Sequence, residues 1–333
     1  MYLGIEIGGT KLQVGVGRGD GTIARLWRGA VDVAAGADGI RRQIAAAVPG
    51  LLGQAGVDRS RLKAVGIGFG GPTDDATRGV LKSHTVGGWD GFPLAAWAEQ
   101  EWKLPCAVCN DADVAGLGEA LFGAGTGLSP IFYMTIGSGI GGGLIIDRKI
   151  YRGTGKGAAE VGHLRLYQLA LADQPEGGYL KLEDSASGWA IQRTAQYWLE
   201  SGPQLKAVFR RSSLTKLPEG NKPRVTAQQV GEAARKGDPL ARFILGKVCD
   251  DLAEAITHVI ALLCPRRIVI GGGVSLMGED VLFKPLRERV AQIVFRPFAD
   301  CYDIVPAALG EEVVVHGALA LARQQYSREG SQV

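Results

Sequence analysis

The fold is decided by LGIEIGGTKLQVGV at residues 3–16, a design that recurs as IFYMTIGSGIGGGLIID at residues 131–147. Each stretch has an apolar run, a glycine-rich turn that holds a hydroxyl residue, and a second apolar run. This pattern predicts a buried β-hairpin whose tip exposes backbone N–H groups. Glycine lets an anion approach those groups closely, and Thr10, Thr135 and Ser138 can add hydroxyl donors.

The two tips, Gly8-Gly9-Thr10 and Gly137-Ser138-Gly139, are candidate phosphate sites. A single glycine hairpin is more often structural than ligand-binding. Two of them, one in each half of the chain, indicate a nucleotide whose phosphates are held across a cleft between two related lobes. The glycines at 137–142 also fit the dinucleotide pattern G-x-G-x-x-G, but that pattern needs a helix to follow, and the residues after it predict a strand.

Composition excludes several classes of protein. The chain has 333 residues, a length sufficient for two domains with hydrophobic cores. Its apolar fraction of 46% and charged fraction of 21% are ordinary for a globular protein. The net charge of +3 is small and spread out, which argues against a nucleic-acid partner. The first predicted strand starts at residue 2 or 3 and no long apolar run follows, so we expect no signal peptide, no membrane span and a cytoplasmic protein.

The five cysteines are an odd number, which favours reduced thiols. Cys106 and Cys109 form a C-x-x-C pattern within a short apolar strand. Strand alternation points two such side chains to opposite faces, so packing is a better interpretation than a redox or metal role.

Strands and helices alternate along the chain, which predicts an α/β protein. We predict an N-terminal lobe at residues 1–113 and a larger C-terminal lobe at 114–311. A last helix at about 312–326 should pack back on the N-terminal lobe, followed by a tail at 327–333. The longest predicted helix is 238–263, with Asp238 as its N-cap. The basic segment 205–225 is interpreted as a solvated surface excursion.

Asn110 and Asp111 follow a predicted strand and precede a predicted helix. Their role can be structural, because Asn and Asp at a helix N-terminus satisfy orphan N–H groups. A carboxylate at the carboxyl end of a strand can instead point into the ligand cleft of an α/β protein and accept a proton from an attacking hydroxyl. The residues alone leave the two interpretations even.

Glu160 and His163 lie in a glycine-rich loop after the second hairpin. A histidine beside a carboxylate is usually a simple hydrogen-bonded pair. In an exposed loop, both groups can also bind the adjacent hydroxyls of a polyhydroxylated ligand.

Three glycines, Gly271, Gly272 and Gly273, follow the strand RIVI. They remove every side chain from one patch of surface, so a flat adenine could lie against the backbone. A tight turn would account for one or two of them.

Taken together, these motifs resemble the ROK family of sugar kinases and related repressors, and within it the ATP-dependent glucokinases. The matching segments are IEIGGTK, NDAD with GLGEALFGAG, MTIGSGIGGG, AEVGH, LEDSASG and IVIGGGV, in that order. The resemblance implies a two-lobed, actin-like and ribonuclease-H-like fold with a cleft between the lobes. It also implies a hexose substrate, ATP with Mg²⁺, and a homodimer.

By position, the resemblance makes Asp111 the catalytic base for the sugar hydroxyl. It implies sugar binding by Asn110, Asp111, Glu160, His163 and Glu183, and ATP binding by Gly8, Gly9, Thr10, Lys11, Thr135, Gly137, Ser138 and Gly271 to Gly273.

The chain departs from the family pattern at three places. Glu6 stands where the family usually has an Asp that helps organise magnesium, so its role toward Mg²⁺ is expected to be indirect. Thr85 replaces an Asn that commonly touches sugar. Between His163 and Glu183 the family typically has several cysteines and this chain has none, so we predict no structural zinc. Apolar packing should support the loop instead, through Leu164, Leu166, Leu169, Leu171, Tyr179 and Leu182.

The leading hypothesis is therefore phosphoryl transfer from MgATP to a hexose, most simply to the 6-hydroxyl of glucose. A kinase for amino or N-acyl hexoses differs only in substrate. A non-catalytic sugar-sensing protein is the alternative from another class, and an intact Asp111 argues against it.

Overall fold

The computed structural model describes residues 1–83, 85–168, 178–200, 210–216 and 225–329. Its strands are β1 Tyr2–Ile7, β2 Lys11–Gly17, β3 Ile23–Ala30, β4 Val65–Phe69, β5 Thr73–Asp74, β6 Gly79–Val80, β7 Cys106–Asn110, β8 Ile131–Ile136, β9 Ile140–Ile146, β10 Lys149–Ile150, β11 Arg165–Gln168, β12 Gly178–Lys181, β13 Arg267–Gly271 and β14 Ile304–Pro306. Its α-helices are α1 Gly36–Ala55, α2 Leu94–Trp102, α3 Asp111–Phe122, α4 Leu182–Ala186, α5 Gly188–Glu200, α6 Ala227–Arg235, α7 Pro239–Leu263, α8 Lys284–Ile293 and α9 Val313–Glu329.

The first sheet has the strand order β3-β2-β1-β4-β7. Strand β1 pairs antiparallel with β2, which confirms the first predicted hairpin, and parallel with β4. Strand β4 pairs parallel with β7, so Ile7, Phe69 and Asn110 stand side by side at their ends. The carboxyl ends of the three strands therefore meet at one edge of the sheet, the edge where α/β proteins bind ligands.

Helix α9 packs on this sheet, against β1 and β4, and against α3. Glycines allow the helix backbone to come close to the sheet and to α3. A Cβ built at Gly66 would lie 2.0 Å from the Ala318 carbonyl oxygen, and one at Gly317 would lie 1.8 Å from the Val114 carbonyl oxygen. A side chain at either position would push the helix away, so both glycines are required by the packing.

The second sheet has the order β10-β9-β8-β13-β14. Its strands β13 and β14 are parallel, with Ile268 opposite Ile304. Helix α7 is the 25-residue helix that the sequence predicts, with Pro239 in its first turn. The predicted N-cap is confirmed, because the Asp238 side chain accepts a hydrogen bond from the Ala241 N–H at 3.0 Å.

The described chain forms two compact units. The first contains Met1–Tyr133, Gly143–Ala159 and Ala307–Val333, and the second contains Met134–Gly142 and Glu160–Pro306. The lobe boundary predicted after residue 113 stays a prediction.

Two expectations about surface segments need correction. Part of the segment 205–225 lies outside the described residues, but Ser212 and Leu214 are buried. The Ser212 hydroxyl donates to the Asp238 carboxylate at 2.8 Å, so this part anchors the start of α7 rather than running through solvent. The chain also remains helical to Glu329, whereas a tail was predicted from residue 327.

Candidate functional site

The first hairpin tip joins β1 to β2 in the first unit. The Gly8 N–H donates to the Lys11 carbonyl oxygen at 3.0 Å and closes the turn. Thr10 at its tip is exposed. The exposed threonine and the glycine backbone are the features expected of an anion-binding turn.

Glu6 is buried at the end of β1 and is held by two donors. Its Oε1 lies 3.2 Å from Lys11 Nζ, and its Oε2 accepts a hydrogen bond from Gln13 Nε2 at 2.7 Å. Burial raises the pKa of Glu6, and the charge of Lys11 opposes that rise. The two donors also reach the Glu311 carbonyl oxygen, Lys11 at 3.1 Å and Gln13 at 2.8 Å. The carboxylate is thus fixed in position beneath the tip.

Of the two residues Asn110 and Asp111, Asn110 takes the capping role that the sequence left open. The Asn110 side chain is the N-cap of α3 and accepts from the Ala112 N–H at 2.9 Å. Its Nδ2 donates to the Gly71 carbonyl oxygen at 3.1 Å, which fixes the end of β7 against the chain after β4. With Asn110 as the cap, Asp111 occupies the first helical position.

The Asp111 carboxylate lies at the edge where β1, β4 and β7 end. A Cβ built at Gly70 would be 3.3 Å from Asp111 Oδ2, 3.3 Å from the Ile7 carbonyl oxygen and 3.4 Å from Gly8 Cα. The bare backbone of Gly70 therefore separates Asp111 from the hairpin tip. This places a potential proton acceptor beside a potential phosphate site.

Thr85 lies beside the same tip. A Cβ built at Gly9 would be 3.3 Å from Thr85 Cγ2 and 3.4 Å from its Oγ1. The structure thus brings Thr85 to the residues predicted to bind phosphate, and its side chain is exposed. His84, which precedes it, lies outside the described residues.

The second hairpin tip, between β8 and β9, belongs to the second unit. The Gly137 N–H donates to the Gly139 carbonyl oxygen at 2.9 Å, and the Gly137 carbonyl oxygen accepts from the Gly188 N–H at 2.8 Å. A Cβ built at Gly137 would meet nothing within 4 Å. Ser138 is exposed and Thr135 is half-buried. The tip is held from behind by the start of α5, and its Gly137 face is open.

Glu183 lies beside this second tip. Its Oε2 is 3.0 Å from the position of a Cβ at Gly139. Glu183 is on α4, whose first residue, Leu182, donates its N–H to the Leu164 carbonyl oxygen at 2.8 Å. This bond connects α4 to the loop that carries His163.

Glu160 and His163 are exposed; Glu160 precedes the short 3₁₀ turn Val161–His163, and His163 ends it. The His163 N–H donates to the Glu160 carbonyl oxygen at 3.0 Å. A Cβ at Gly162 would be 2.0 Å from the Ile140 carbonyl oxygen, so this turn packs on the first residue of β9. The turn that carries His163 and the Glu183 side chain therefore both lie beside the second hairpin.

The supporting loop is only partly as predicted. Leu166 and Leu182 are buried, as expected of a packed support, but Tyr179 is 60% exposed. Tyr179 instead makes an edge contact with Tyr167 across the β11–β12 hairpin. Leu169 and Leu171 lie outside the described residues.

The glycines after β13 pack against the end of β8. Gly272 has a φ of +84°, and a Cβ on it would be 2.6 Å from the Ile136 carbonyl oxygen. Only glycine suits both the backbone angle and the contact. A Cβ at Gly273 would meet nothing within 4 Å, so the neighbouring backbone is open. The candidate adenosine site thus adjoins the candidate phosphate site at Gly137.

Sequence reasoning missed Arg152, which organises the start of α3. Its Nη1 donates to Asp113 Oδ2 at 2.6 Å and its Nε donates to Asp75 Oδ1 at 3.1 Å. Arg152 also donates to the Thr73 carbonyl oxygen at 3.1 Å. Because Asp113 is two residues after Asp111, this network fixes the first turn of the helix. The only sequence signal is an arginine at the edge of the glycine-rich loop.

Within the described ranges, no group of three or more His, Cys, Asp or Glu side chains could hold a metal ion. A magnesium ion brought by a nucleotide needs fewer protein ligands, because phosphates and waters supply most of its shell. The buried Glu6 carboxylate fits that smaller role. Among the helices of the described chain, none is long and apolar enough to cross a membrane.

Comparison with known proteins identifies the class. The model of the ROK family matches residues 2–325, so this chain belongs to the ROK family. The glucokinase of Halalkalibacterium halodurans is 32% identical over 334 residues, covering 97% of this chain and 95% of its own length. The glucokinase of Thermotoga maritima is 31% identical, covering 97% of both chains.

Comparison with solved structures extends the similarity from the sequence to the fold. The ROK family glucokinase from Streptomyces griseus, in complex with glucose and AMPPNP, is 34% identical with a TM-score of 0.77, covering 97% of this chain and 99% of its own. The ROK hexokinase from Thermus thermophilus is 25% identical with a TM-score of 0.76 over 98% of this chain. These likenesses confirm the predicted actin-like α/β fold class.

Proposed function

We propose that this protein is an ATP-dependent glucokinase that transfers the γ-phosphoryl group of ATP to the 6-hydroxyl of glucose. Glucokinases about a third identical over nearly the whole chain support this function, as does the likeness to a structure that contains glucose and an ATP analogue. One observation in the structure carries it. The Asp111 carboxylate stands at the carboxyl ends of three strands, separated from the glycine tip at Gly8 by the bare backbone of Gly70.

Asp111 acts as the general base in this proposal. Its carboxylate accepts the proton of the 6-hydroxyl as that oxygen attacks the γ-phosphorus, and the ADP oxygen leaves. The capping bond of Asn110 and the Arg152–Asp113 pair fix the turn that carries Asp111. The protein has little covalent chemistry to perform, so rigid placement of this carboxylate is its main contribution.

The ligand-binding roles are also proposals. Asn110, Thr85, Glu160, His163 and Glu183 bind the sugar hydroxyls with groups that donate or accept hydrogen bonds. The hairpin tips bind phosphate oxygens through their N–H groups and hydroxyls, and Gly271 to Gly273 receive the adenosine. Gly137 and Gly273 support these roles because the space beside each is open.

Magnesium would be held mainly by the nucleotide phosphates, with the Glu6 carboxylate bound to the waters of its shell. When bound, the ion neutralises the charge that builds up on the transferring phosphoryl group. The Lys11 ammonium lies 3.2 Å from Glu6 and offsets the negative charge that this carboxylate presents to a metal ion. The contribution of Glu6 is therefore to orient water rather than to grip the metal.

We further propose that the enzyme is a cytoplasmic homodimer. The short apolar runs of the sequence support the location, and the resemblance to ROK kinases supports the dimer. Light scattering coupled to size exclusion at micromolar concentration should give twice the chain mass of 35.1 kDa. A mass of one chain at that concentration would contradict the dimer.

The test of function is a coupled assay with MgATP and a panel of glucose, mannose, fructose, glucosamine and N-acetylated hexosamines. We expect the highest kcat/KM with glucose. A higher value with an N-acetylated or amino sugar would replace glucose as the substrate and keep the kinase. Binding of sugar without ADP formation on any member of the panel would reject the kinase.

A further inference from the structure

Two thiols lie together in the second unit at the start of the β13–β14 pair. Cys264 is the residue that ends α7, three residues before β13, and Cys301 is three residues before β14. The two strands start side by side, because the Ile268 N–H donates to the Asp303 carbonyl oxygen at 2.8 Å. The Arg267 guanidinium also holds the Asp303 carboxylate, with Nε to Oδ1 at 2.7 Å and Nη2 to Oδ2 at 2.5 Å. Cys264 precedes Arg267 and Cys301 precedes Asp303, so both cysteines lie on the same side of this ion pair along the chain.

The two cysteine side chains are neighbours. The Cys264 thiol lies near enough to add to the effect of burial in raising the pKa of the Cys301 thiol, which also lies 3.7 Å from Asp300 Oδ1. Both cysteines are half-buried, and neither is in a disulfide. A disulfide holds its two sulfurs at about 2.05 Å, so the two side chains must move closer for the bond to form.

The backbone of Cys264 is unusual for its residue type. Its φ is +41°, in the left-handed region where glycine is favoured, and it caps the helix by donating its N–H to the Ile260 carbonyl oxygen at 2.9 Å. A cysteine at this position costs more than a glycine would. The chain nevertheless places a thiol there, within reach of a second thiol.

The other three cysteines are less accessible to an oxidant in solution. Cys106, Cys109 and Cys249 are buried. Burial keeps these three thiols from a peroxide in solution, and it also raises the pKa of Cys249 to about 11 and that of Cys106 further. Access to solvent therefore selects the pair Cys264 and Cys301.

We propose that Cys264 and Cys301 are a redox-modification site, which forms a reversible intramolecular disulfide on exposure to a peroxide. One thiolate attacks an oxygen of hydrogen peroxide, giving a sulfenic acid and hydroxide. The second thiol then attacks that sulfur and forms the disulfide with loss of water. Overall, two thiols lose two electrons and two protons, and one peroxide becomes two waters. A small dithiol reverses the reaction by exchange.

The disulfide would act as a staple across the second sheet. It closes the loop from 264 to 301, which contains β13 and α8, and so lowers the entropy of the unfolded chain. Oxidation should therefore raise thermal stability without any change in the fold. This effect is independent of the proposed kinase activity.

The experiment treats the full-length protein with a few equivalents of hydrogen peroxide, blocks free thiols with an alkylating agent, and maps peptides by mass spectrometry. We expect a linked peptide pair joining Cys264 and Cys301, and a rise in Tm of about 5 °C that a dithiol abolishes. Cys264→Ser and Cys301→Ser should each lose both the linked pair and the rise in Tm. Cys249→Ala, which removes a buried thiol, should keep both.

A further variant tests the chemistry of the pair. Burial raises the pKa of Cys301, and the neighbouring Cys264 thiol and Asp300 carboxylate raise it further. The crosslinking rate should thus increase several-fold from pH 7 to pH 8, as more thiolate forms. Asp300→Asn should increase the rate at pH 7 and reduce its dependence on pH. The proposal is overturned if wild-type protein yields only sulfinic acid, a disulfide between chains, or no linked pair.

Discussion

The two hairpin tips have the same sequence design but different surroundings. Gly8 is crowded, because a Cβ on it would lie 3.1 Å from the Lys11 carbonyl oxygen, whereas a Cβ on Gly137 would meet nothing within 4 Å. The first tip stands over the Glu6–Lys11 ion pair and beside Asp111. The second is bonded from behind by Gly188 and has Glu183 at its side.

In the proposed function, this contrast gives one motif two purposes. The first tip would act together with the carboxylates beside it, and the second would act through its open backbone. We therefore expect charge changes to damage function at the first tip and added side-chain volume to damage function at the second.

The largest effect should come from Asp111→Asn, beside the first tip. The substitution keeps the size of the side chain and removes its basicity, and general-base catalysis is worth about 100- to 10,000-fold. We expect kcat to fall within that range while glucose affinity, measured by calorimetry, changes little. Asp58→Asn is the matched control, because Asp58 caps an exposed turn where Asn also serves as a cap. A kcat within about threefold of wild type would remove Asp111 from its proposed role.

The next effect should come from Gly137→Ala at the second tip. The open space lets the protein fold with the extra methyl group, but that group stands where a phosphate would approach. We expect the KM for ATP to rise about tenfold, equivalent to the loss of one hydrogen bond to a charged group. Gly53→Ala has equal space, lies within α1, and should slightly stabilise the helix without changing the KM. Unchanged ATP kinetics in Gly137→Ala would mean that this tip is structural.

A smaller effect is expected from Glu6→Gln beneath the first tip. The variant keeps the hydrogen-bonding shape but loses the charge that faces Lys11 and the magnesium shell. The magnesium concentration for half-maximal activity should rise about threefold, at an unchanged glucose KM. Glu101→Gln, on the exposed side of α2, is the control. An unaltered magnesium requirement would leave Glu6 as a buried support of the hairpin.

Local chemistry explains what the sequence could predict. The Asp238 cap and both glycine tips depend on residues a few positions apart, and a pattern of residue types is sufficient to find them. The family motifs also identified the ROK class, which the family model confirms.

The features that sequence reasoning missed join distant segments. Arg152 pairs with Asp113 across 39 residues and with Asp75 across 77, and no periodicity relates them. The burial of Ser212 depends on its bond to Asp238, 26 residues away. Likewise, the proximity of Cys264 and Cys301 follows from the pairing of β13 with β14, which the spacing of cysteines does not indicate.

The smallest effect is expected from treatment with a metal chelator. We predict that the loop beside the second tip holds no structural zinc. A structural zinc site takes four ligands in tetrahedral reach, mostly thiolates and imidazoles. Between His163 and Glu183 the sequence has no cysteine and no second histidine. Leu166 and Leu182 are buried in the described part of this loop, so apolar packing supports it there.

Elemental analysis of purified protein should therefore find far less than one zinc per chain. Enzyme treated with EDTA should regain full activity with magnesium alone, because no metal holds the loop in place. The second tip would then depend on packing for its shape, as the first depends on ion pairs. Stoichiometric zinc, or activity that only zinc restores, would show instead that ligands outside this segment complete a metal site with His163.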